Sequence, residues 1–91
     1  MQAIIISEEW HGTIGLAKDY QSALSFLINK YYLNKETYVW DFNEDEYVLI
    51  KDKYGENWEQ TLRNWNIENF NKNFEGVFFL YECNIYEDTT L

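Results

Sequence analysis

Proline is absent from the 91 residues, and cysteine, histidine and methionine occur once each. A single cysteine excludes a disulfide framework within the chain and fits a reducing, cytoplasmic setting. Basic side chains are scarce, seven Lys and Arg against sixteen Asp and Glu, for a formal charge of −9. Such a charge repels free polyphosphate and argues against direct nucleic-acid binding. No run approaches the roughly eighteen apolar residues of a membrane helix. Residues Met1–Ser7 lack the basic region and cleavage site of a secretory signal, so neither a membrane anchor nor export is expected. Missing proline together with frequent Asn, Lys, Ile, Tyr and Phe matches A/T-rich codons.

What is plentiful is aromatic: four Trp, eight Tyr and six Phe. A chain of this length makes one domain, residues 1–91, with a single core. Eighteen large rings do not all fit inside it. Some Tyr and Trp edges should therefore reach the surface, where partners can meet them.

Ala3-Ile4-Ile5-Ile6 predicts a strand buried on both faces. Glu8 to Gly12 reads as a turn, and Thr13 to Ala17 alternates as the return strand of a hairpin. There Ile14 and Leu16 share one side, and Gly15 and Ala17 leave room for a helix to approach. Asp19 is a good N-cap for a helix whose stripe is Tyr20, Ala23, Leu24, Leu27, Ile28 and Tyr31. Thr37 to Phe42 alternates as an edge strand or extended connection that turns Tyr38, Trp40 and Phe42 to one side. Asn43 with Glu46 has the form of a capping box. A helical stripe of Tyr47, Ile50, Tyr54, Trp58, Leu62 and Trp65 follows, divided at Gly55. Asn66 caps a last helix with Ile67, Phe70 and Phe74 inward, closed by Gly76. Val77 to Tyr86 reads as a long strand. The first strand should pair with the second through the hairpin and with this one on its other edge, which places either the first or the final strand centrally. Val77, Phe79, Tyr81, Cys83 and Ile85 form the wholly buried face of the final strand; on the other, Phe78 and Leu80 are buried and Glu82, Asn84 and Tyr86 remain free. The tail Glu87–Leu91 reads as frayed.

The expected fold class is α+β. A mainly antiparallel three-stranded sheet is made from the N-terminal hairpin and the C-terminal strand, with two to four helices packed on one face.

Residues 11–28 (HGTIGLAKDYQSALSFLI) and 70–81 (FNKNFEGVFFLY) resemble parts of small uncharacterised acidic proteins of Gram-positive bacteria and their phages. The two runs cover about a third of the chain. The resemblance implies a phage or prophage context and carries no activity.

Chemical candidates are few. His11 could act as a general base if Glu8 or Glu9 orients it, which would make the protein a small hydrolase, but no nucleophile is placed beside it. Cys83 reads as a core residue, with a Cys83–His11 dyad as the reactive alternative. Gly12-Thr13-Ile14-Gly15 lacks the third glycine and Lys-Ser/Thr ending of a phosphate loop. Asp41, Asn43 and Asp45, with Asp52 in twelfth position, have calcium-loop spacing. Glu46 stands where such a loop needs glycine, and a helix start explains the same acids. No catalytic residue, metal site or cofactor is assigned.

The charge distribution carries more. Residues 34–65 hold eight acids against four bases, and residues 66–91 five against one. On one middle helix Asp45, Asp52, Glu56, Glu59 and Arg63 would form an acidic face opposite the aromatic stripe. Glu59 can pair with Arg63, while Asp52 and Glu56 repel. Asp41, Glu44, Asp45, Asp52, Glu56, Glu59 and Trp40 are therefore the candidate binding residues. The expectation is a non-catalytic protein-interaction or regulatory module that meets a basic protein partner. A sharper variant is an acidic nucleic-acid mimic that blocks a DNA- or RNA-binding protein. Solvation of an acidic surface accounts for the same charges. A third class is self-association, the chain being a monomer or a weak homodimer.

Overall fold

A computed structural model describes residues 2–84, so the expected ends of the last strand (Ile85, Tyr86) and the tail Glu87–Leu91 lie outside the described residues. The fold is α+β. Strands β1 (Gln2–Glu8) and β2 (Gly12–Ala17) form the N-terminal hairpin, and β5 (Phe78–Asn84) pairs antiparallel with the other side of β1, giving the order β2-β1-β5. Helix α1 (Tyr20–Lys30) follows the hairpin. Strands β3 (Tyr38–Asp41) and β4 (Glu46–Leu49) then make a second, two-stranded sheet. Helix α2 (Ile50–Tyr54), a 3₁₀ turn (Gly55–Asn57), α3 (Trp58–Arg63) and α4 (Ile67–Asn73) lead back to β5.

Local chemistry explains most of these boundaries. Asp19 accepts a hydrogen bond from the Ser22 N–H at 2.8 Å and starts α1. This bond to the anionic form holds the Asp19 carboxyl below its ordinary pKa. The helix ends where Tyr32 takes a positive φ of 64° and the Leu33 N–H turns back to the Leu27 carbonyl at 2.9 Å, which satisfies an orphan group of the last turn. Asn66 and Asn69 form a reciprocal capping box at the start of α4. Gly55, at φ 73°, ends α2 and opens the 3₁₀ turn, as the interruption of the stripe predicts.

The core lies between the helices and one face of the large sheet. Ile4, Ile6, Phe78 and Leu80 meet Ala23, Leu24 and Leu27 of α1 and Phe70 of α4, with Leu33, Val39, Ile50, Leu62 and Phe74 completing it. Gly15 lets α1 come close, as expected: a Cβ there would sit 2.9 Å from Phe26 Cζ.

Four points decide between the expectations or overturn them. First, the first strand pairs with the hairpin strand and with the final strand as expected, so of the two candidates for the central place β1 takes it and β5 lies at the edge. Second, only one face of β5 is buried at its start, where both were expected to be. Phe78 and Leu80 are buried as expected, whereas Phe79 and Tyr81 are exposed and Cys83 is half-buried. Both faces of this strand are apolar near its start, so alternation cannot choose between them. Pairing to β1 does, because Ile6 lies opposite Leu80 and both must enter the core.

Third, a bulge in β2 breaks its parity. Ile6 pairs with Gly15 and Ser7 with Thr13, leaving Ile14 as the extra residue. Ile14 packs on the core while Leu16 points outward. Fourth, residues 43–49 do not begin a helix. They form the turn and return strand of the β3–β4 hairpin, and α2 starts at Ile50 without a side-chain cap. Its first N–H groups instead reach the carbonyls of Thr37 (2.8 Å, from Ile50) and Lys35 (3.0 Å, from Lys51). A helix start capped by remote backbone leaves no local signature.

Candidate functional site

The second hairpin brings three exposed aromatics together, Tyr38, Phe42 and Tyr47. Val39 is fully buried and its partner Val48 packs beside it, so this face of the ribbon is committed to the core. Alternation then sends Tyr38, Trp40, Tyr47 and Leu49 to the opposite face. Tyr38 and Tyr47 stay 56% and 46% exposed, and Trp40 is half-buried. Of the two readings of residues 37–42, a strand or an extended connection, the strand is formed. A valine takes the inward position and the rings face out.

These rings support one another. Trp40 meets Tyr47 edge-on with centroids 5.0 Å apart, and Phe42 at 6.5 Å. The Tyr47 hydroxyl donates to the Glu75 carbonyl at 3.1 Å. Gly76, at φ 81°, permits this approach, since a Cβ would lie 2.7 Å from the Tyr47 oxygen. Two shallow adjoining cavities result. One of about 430 Å³ is lined by Trp40, Tyr47, Glu75 and Gly76, and one of about 400 Å³ by Tyr38, Tyr47, Gly76 and Val77.

The acids do not form the single helical face that spacing suggests. Asp41 closes the hairpin turn, its Oδ1 accepting from the Asn43 and Glu44 N–H groups at 2.9 and 3.3 Å. Glu44 and Asp45 stand exposed at that tip, with Asp45 at φ 54°. Asp52 on α2 and Glu56 in the 3₁₀ turn border a separate cavity of about 430 Å³, together with Lys35, Lys51 and Trp58. Glu59 on α3 pairs with Arg63 at 3.5 Å. Thus Trp40, Asp41, Glu44 and Asp45 share the hairpin, and Asp52, Glu56 and Glu59 lie elsewhere. A strand through residues 46–49 also rules out the calcium-loop geometry, which needs residues 41–52 as one loop.

Lysines are interspersed among these acids. Lys51 pairs with Glu36 at 2.9 Å, which raises its pKa. Lys53 donates to the Trp40 carbonyl at 2.6 Å, and Lys53 and Lys72 lie 5.8 and 5.4 Å from the Phe42 ring centre. Lys53 therefore braces the very strand that carries Trp40.

Glu8 is the orienting partner of His11, hydrogen-bonded to its Nδ1, and the Tyr31 hydroxyl stands 3.3 Å from the same nitrogen. Partial burial alone would raise the Glu8 carboxyl. The bonds from His11 and from the Trp10 and His11 backbone outweigh that and hold it below its ordinary value. Burial, and then the neighbouring Glu8, push the Tyr31 phenol up. Among the described residues no hydroxyl or thiol nucleophile of Ser, Thr or Cys bonds to this imidazole. Cys83 pairs with Ala3, five residues along β1 from Glu8, about 17 Å away at strand spacing. A Cys83–His11 dyad is excluded by that register.

The outer face of the large sheet, on which Ala3 is buried while Leu16, Phe79 and Tyr81 are exposed, was missed by sequence reasoning. Ile5 lies between Leu16 and Tyr81, and Ser7 between Thr13 and Phe79, with Ala3 opposite Cys83. No charged residue falls on this face within the described, paired strands. Leu16 is 63% exposed and Phe79 51%. An antiparallel sheet with one wet face ordinarily alternates apolar with polar, and here the wet side is apolar as well. The signal was present in β5, whose two faces are both aromatic or aliphatic at its start.

No helix among the described residues is long and apolar enough to cross a membrane. Compared with protein-family models, curated proteins and solved structures, the chain gives no match to any of the three.

Proposed function

We propose that this protein is a non-catalytic protein-interaction or regulatory module that acts in the cytoplasm, is phage or prophage encoded, and binds a basic protein partner. Its working surface is the outer face of the β3–β4 hairpin. The observation that carries the reading is the set of Tyr38, Trp40 and Tyr47, held outward by the burial of Val39 and flanked by the acidic tip Asp41, Glu44 and Asp45. Rigid rings beside shallow cavities are the usual anchors of an interface, and carboxylates around them speed encounter with a cation-rich partner. The scattered acids Asp52, Glu56 and Glu59 add to the long-range field without joining the contact.

The test is capture from a host lysate at low and high salt, using the wild-type chain, Trp40→Ala and the reversed tip Glu44→Lys/Asp45→Lys. Trp40→Ala should weaken capture about tenfold or more at every salt concentration. The reversed tip should weaken it mainly at low salt. Equal capture by all three proteins would overturn the reading. Competition by oligonucleotide would identify the partner as a nucleic-acid-binding protein and the module as a mimic. The alternative of a small hydrolase using His11 requires His11→Ala to abolish the biological effect, and the interaction reading expects that variant to be unimpaired.

A further inference from the structure

We infer that the cavity lined by Trp40, Tyr47, Glu75 and Gly76 receives one cationic side chain, an arginine or a lysine of the partner. This rests on the reading of the hairpin's outer face as the partner-binding surface, and it names the group that enters there.

Two rings set the shape. Trp40 and Tyr47 are cross-strand partners in β3 and β4, with ring centres 5.0 Å apart and planes inclined at 77°. Nearly perpendicular rings form a corner, where a cation can meet more than one π system at once. The bond from the Tyr47 hydroxyl to the Glu75 carbonyl at 3.1 Å fixes the second ring, and Gly76 adds no side chain to the lining. The space of about 430 Å³ takes a guanidinium or an ammonium head with part of its alkyl stem. The adjoining cavity, lined by Tyr38, Tyr47, Gly76 and Val77, carries no charged residue and offers apolar contact to the stem.

Charge selects a cation over other occupants. Glu75 is the acid on this lining, and no Lys or Arg lines it. An anion would meet that carboxylate and the −9 charge of the whole chain, and a neutral apolar group would gain nothing from either. The neighbouring Phe42 ring shows the same chemistry satisfied from within, since Lys53 and Lys72 lie 5.8 and 5.4 Å from its centre. Among the described residues no Lys or Arg stands over the ring of Trp40 or Tyr47. These two rings are therefore the part of the cluster whose cation comes from outside. Lys53 and Lys72 repel an incoming cation on the Phe42 side, which leaves entry from the side of Glu75 and Gly76.

Proton–nitrogen correlation spectra of the isotope-labelled full chain test this. The probes are N-acetyl-arginine methylamide, N-acetyl-lysine methylamide and their neutral counterparts built on citrulline and norleucine. Salt at about 0.15 M screens loose attraction to the acidic surface. The Trp40 indole N–H and the Gly76 amide should move on addition of the cations, which should bind roughly threefold to tenfold more tightly than the neutral probes. Tyr47→Leu, at an exposed position, should weaken cation binding by a similar factor. A response to either cation supports the inference, and their order names the side chain. Equal binding of charged and neutral probes to the wild-type chain overturns it, and that comparison does not depend on how the variant folds. Shifts spread evenly over the acids, or unchanged cation binding by natively folded Tyr47→Leu, overturn it as well. Capture of a host protein without any charge preference among these probes removes this inference alone. Cationic probes bound at the corner of a chain that captures nothing remove the interaction reading alone.

Discussion

At the scale of single residues, the side chains with the clearest chemical signatures hold the fold together. Tyr54 packs edge-on against Trp65 at 5.4 Å and its hydroxyl donates to Asn73 at 3.3 Å. Burial, helped by the nearby Asp41, pushes its pKa from 10.0 up to about 12. Burial raises Tyr20 as well, and the Tyr20 hydroxyl donates to the Leu62 carbonyl at 2.7 Å. A pKa raised by folding means that the neutral phenol is favoured in the folded state. The stability it contributes is whole below pH 10 and is lost as pH rises toward 12. Stability measured by urea unfolding should therefore fall between those values, and Tyr54→Phe should flatten part of the fall. At neutral pH that variant should cost only about 1 kcal/mol, the net worth of one hydrogen bond. Acid acts in the opposite direction. Asp19 and Glu8, both lowered, contribute above their unfolded values and lose that contribution as pH falls through the folded ones.

At the scale of elements, β5 shows how an edge strand is kept soluble by another element. Asn71 on α4 occupies both main-chain groups of Leu80 with one amide, standing in for a neighbouring strand. Asn71→Ala should leave that N–H and carbonyl without their partner and cost about 1–3 kcal/mol. Amide exchange at Leu80 should accelerate, and edge-to-edge assemblies should appear at high concentration. If exchange at Leu80 is unchanged, the amide is not protecting the edge. The β3–β4 ribbon shows a different logic. Its short strands are anchored by Val39 and Val48 inside and by Lys53 at the Trp40 carbonyl, which frees the outer rings for contact.

At the scale of the whole molecule, charge and apolar surface are segregated. Acids stand at the hairpin tip, around α2 and α3, and elsewhere along the chain such as Glu8, Asp19 and Glu82, while the outer face of the large sheet carries none within its paired residues. Self-repulsion at −9 destabilises the compact state, so added salt should raise the thermal midpoint by a few degrees. Differential scanning calorimetry over a range of salt concentrations measures this shift. A midpoint independent of salt would show that Lys51, Lys53 and Arg63 already offset the acids locally.

Elements with local chemistry were legible in the sequence. Asp19 and Asn66 were readable as caps, Gly55 as an interruption, Gly15 as a close-approach site and Tyr20 to Tyr31 as a buried stripe, because each depends on neighbours within a few residues. The α+β class and the antiparallel pairing of both chain ends followed from the same patterns. The hairpin at residues 38–49 was not legible. Its acids and aromatics suit a helix start equally well, and α2 is capped by carbonyls of Lys35 and Thr37. The acidic face of the candidate site dissolved with that helix, while Trp40 and the tip acids remained together. The strand from Phe78 to Asn84 marks the boundary. Its existence was written in its own residues, but which of two apolar faces entered the core was not. That choice belonged to the pairing of Leu80 with Ile6 and to the helices on one side of β1, contacts made between residues more than seventy positions apart. Alternation specifies that a strand has two sides, and only the packing of distant elements against it specifies which side is left for another molecule.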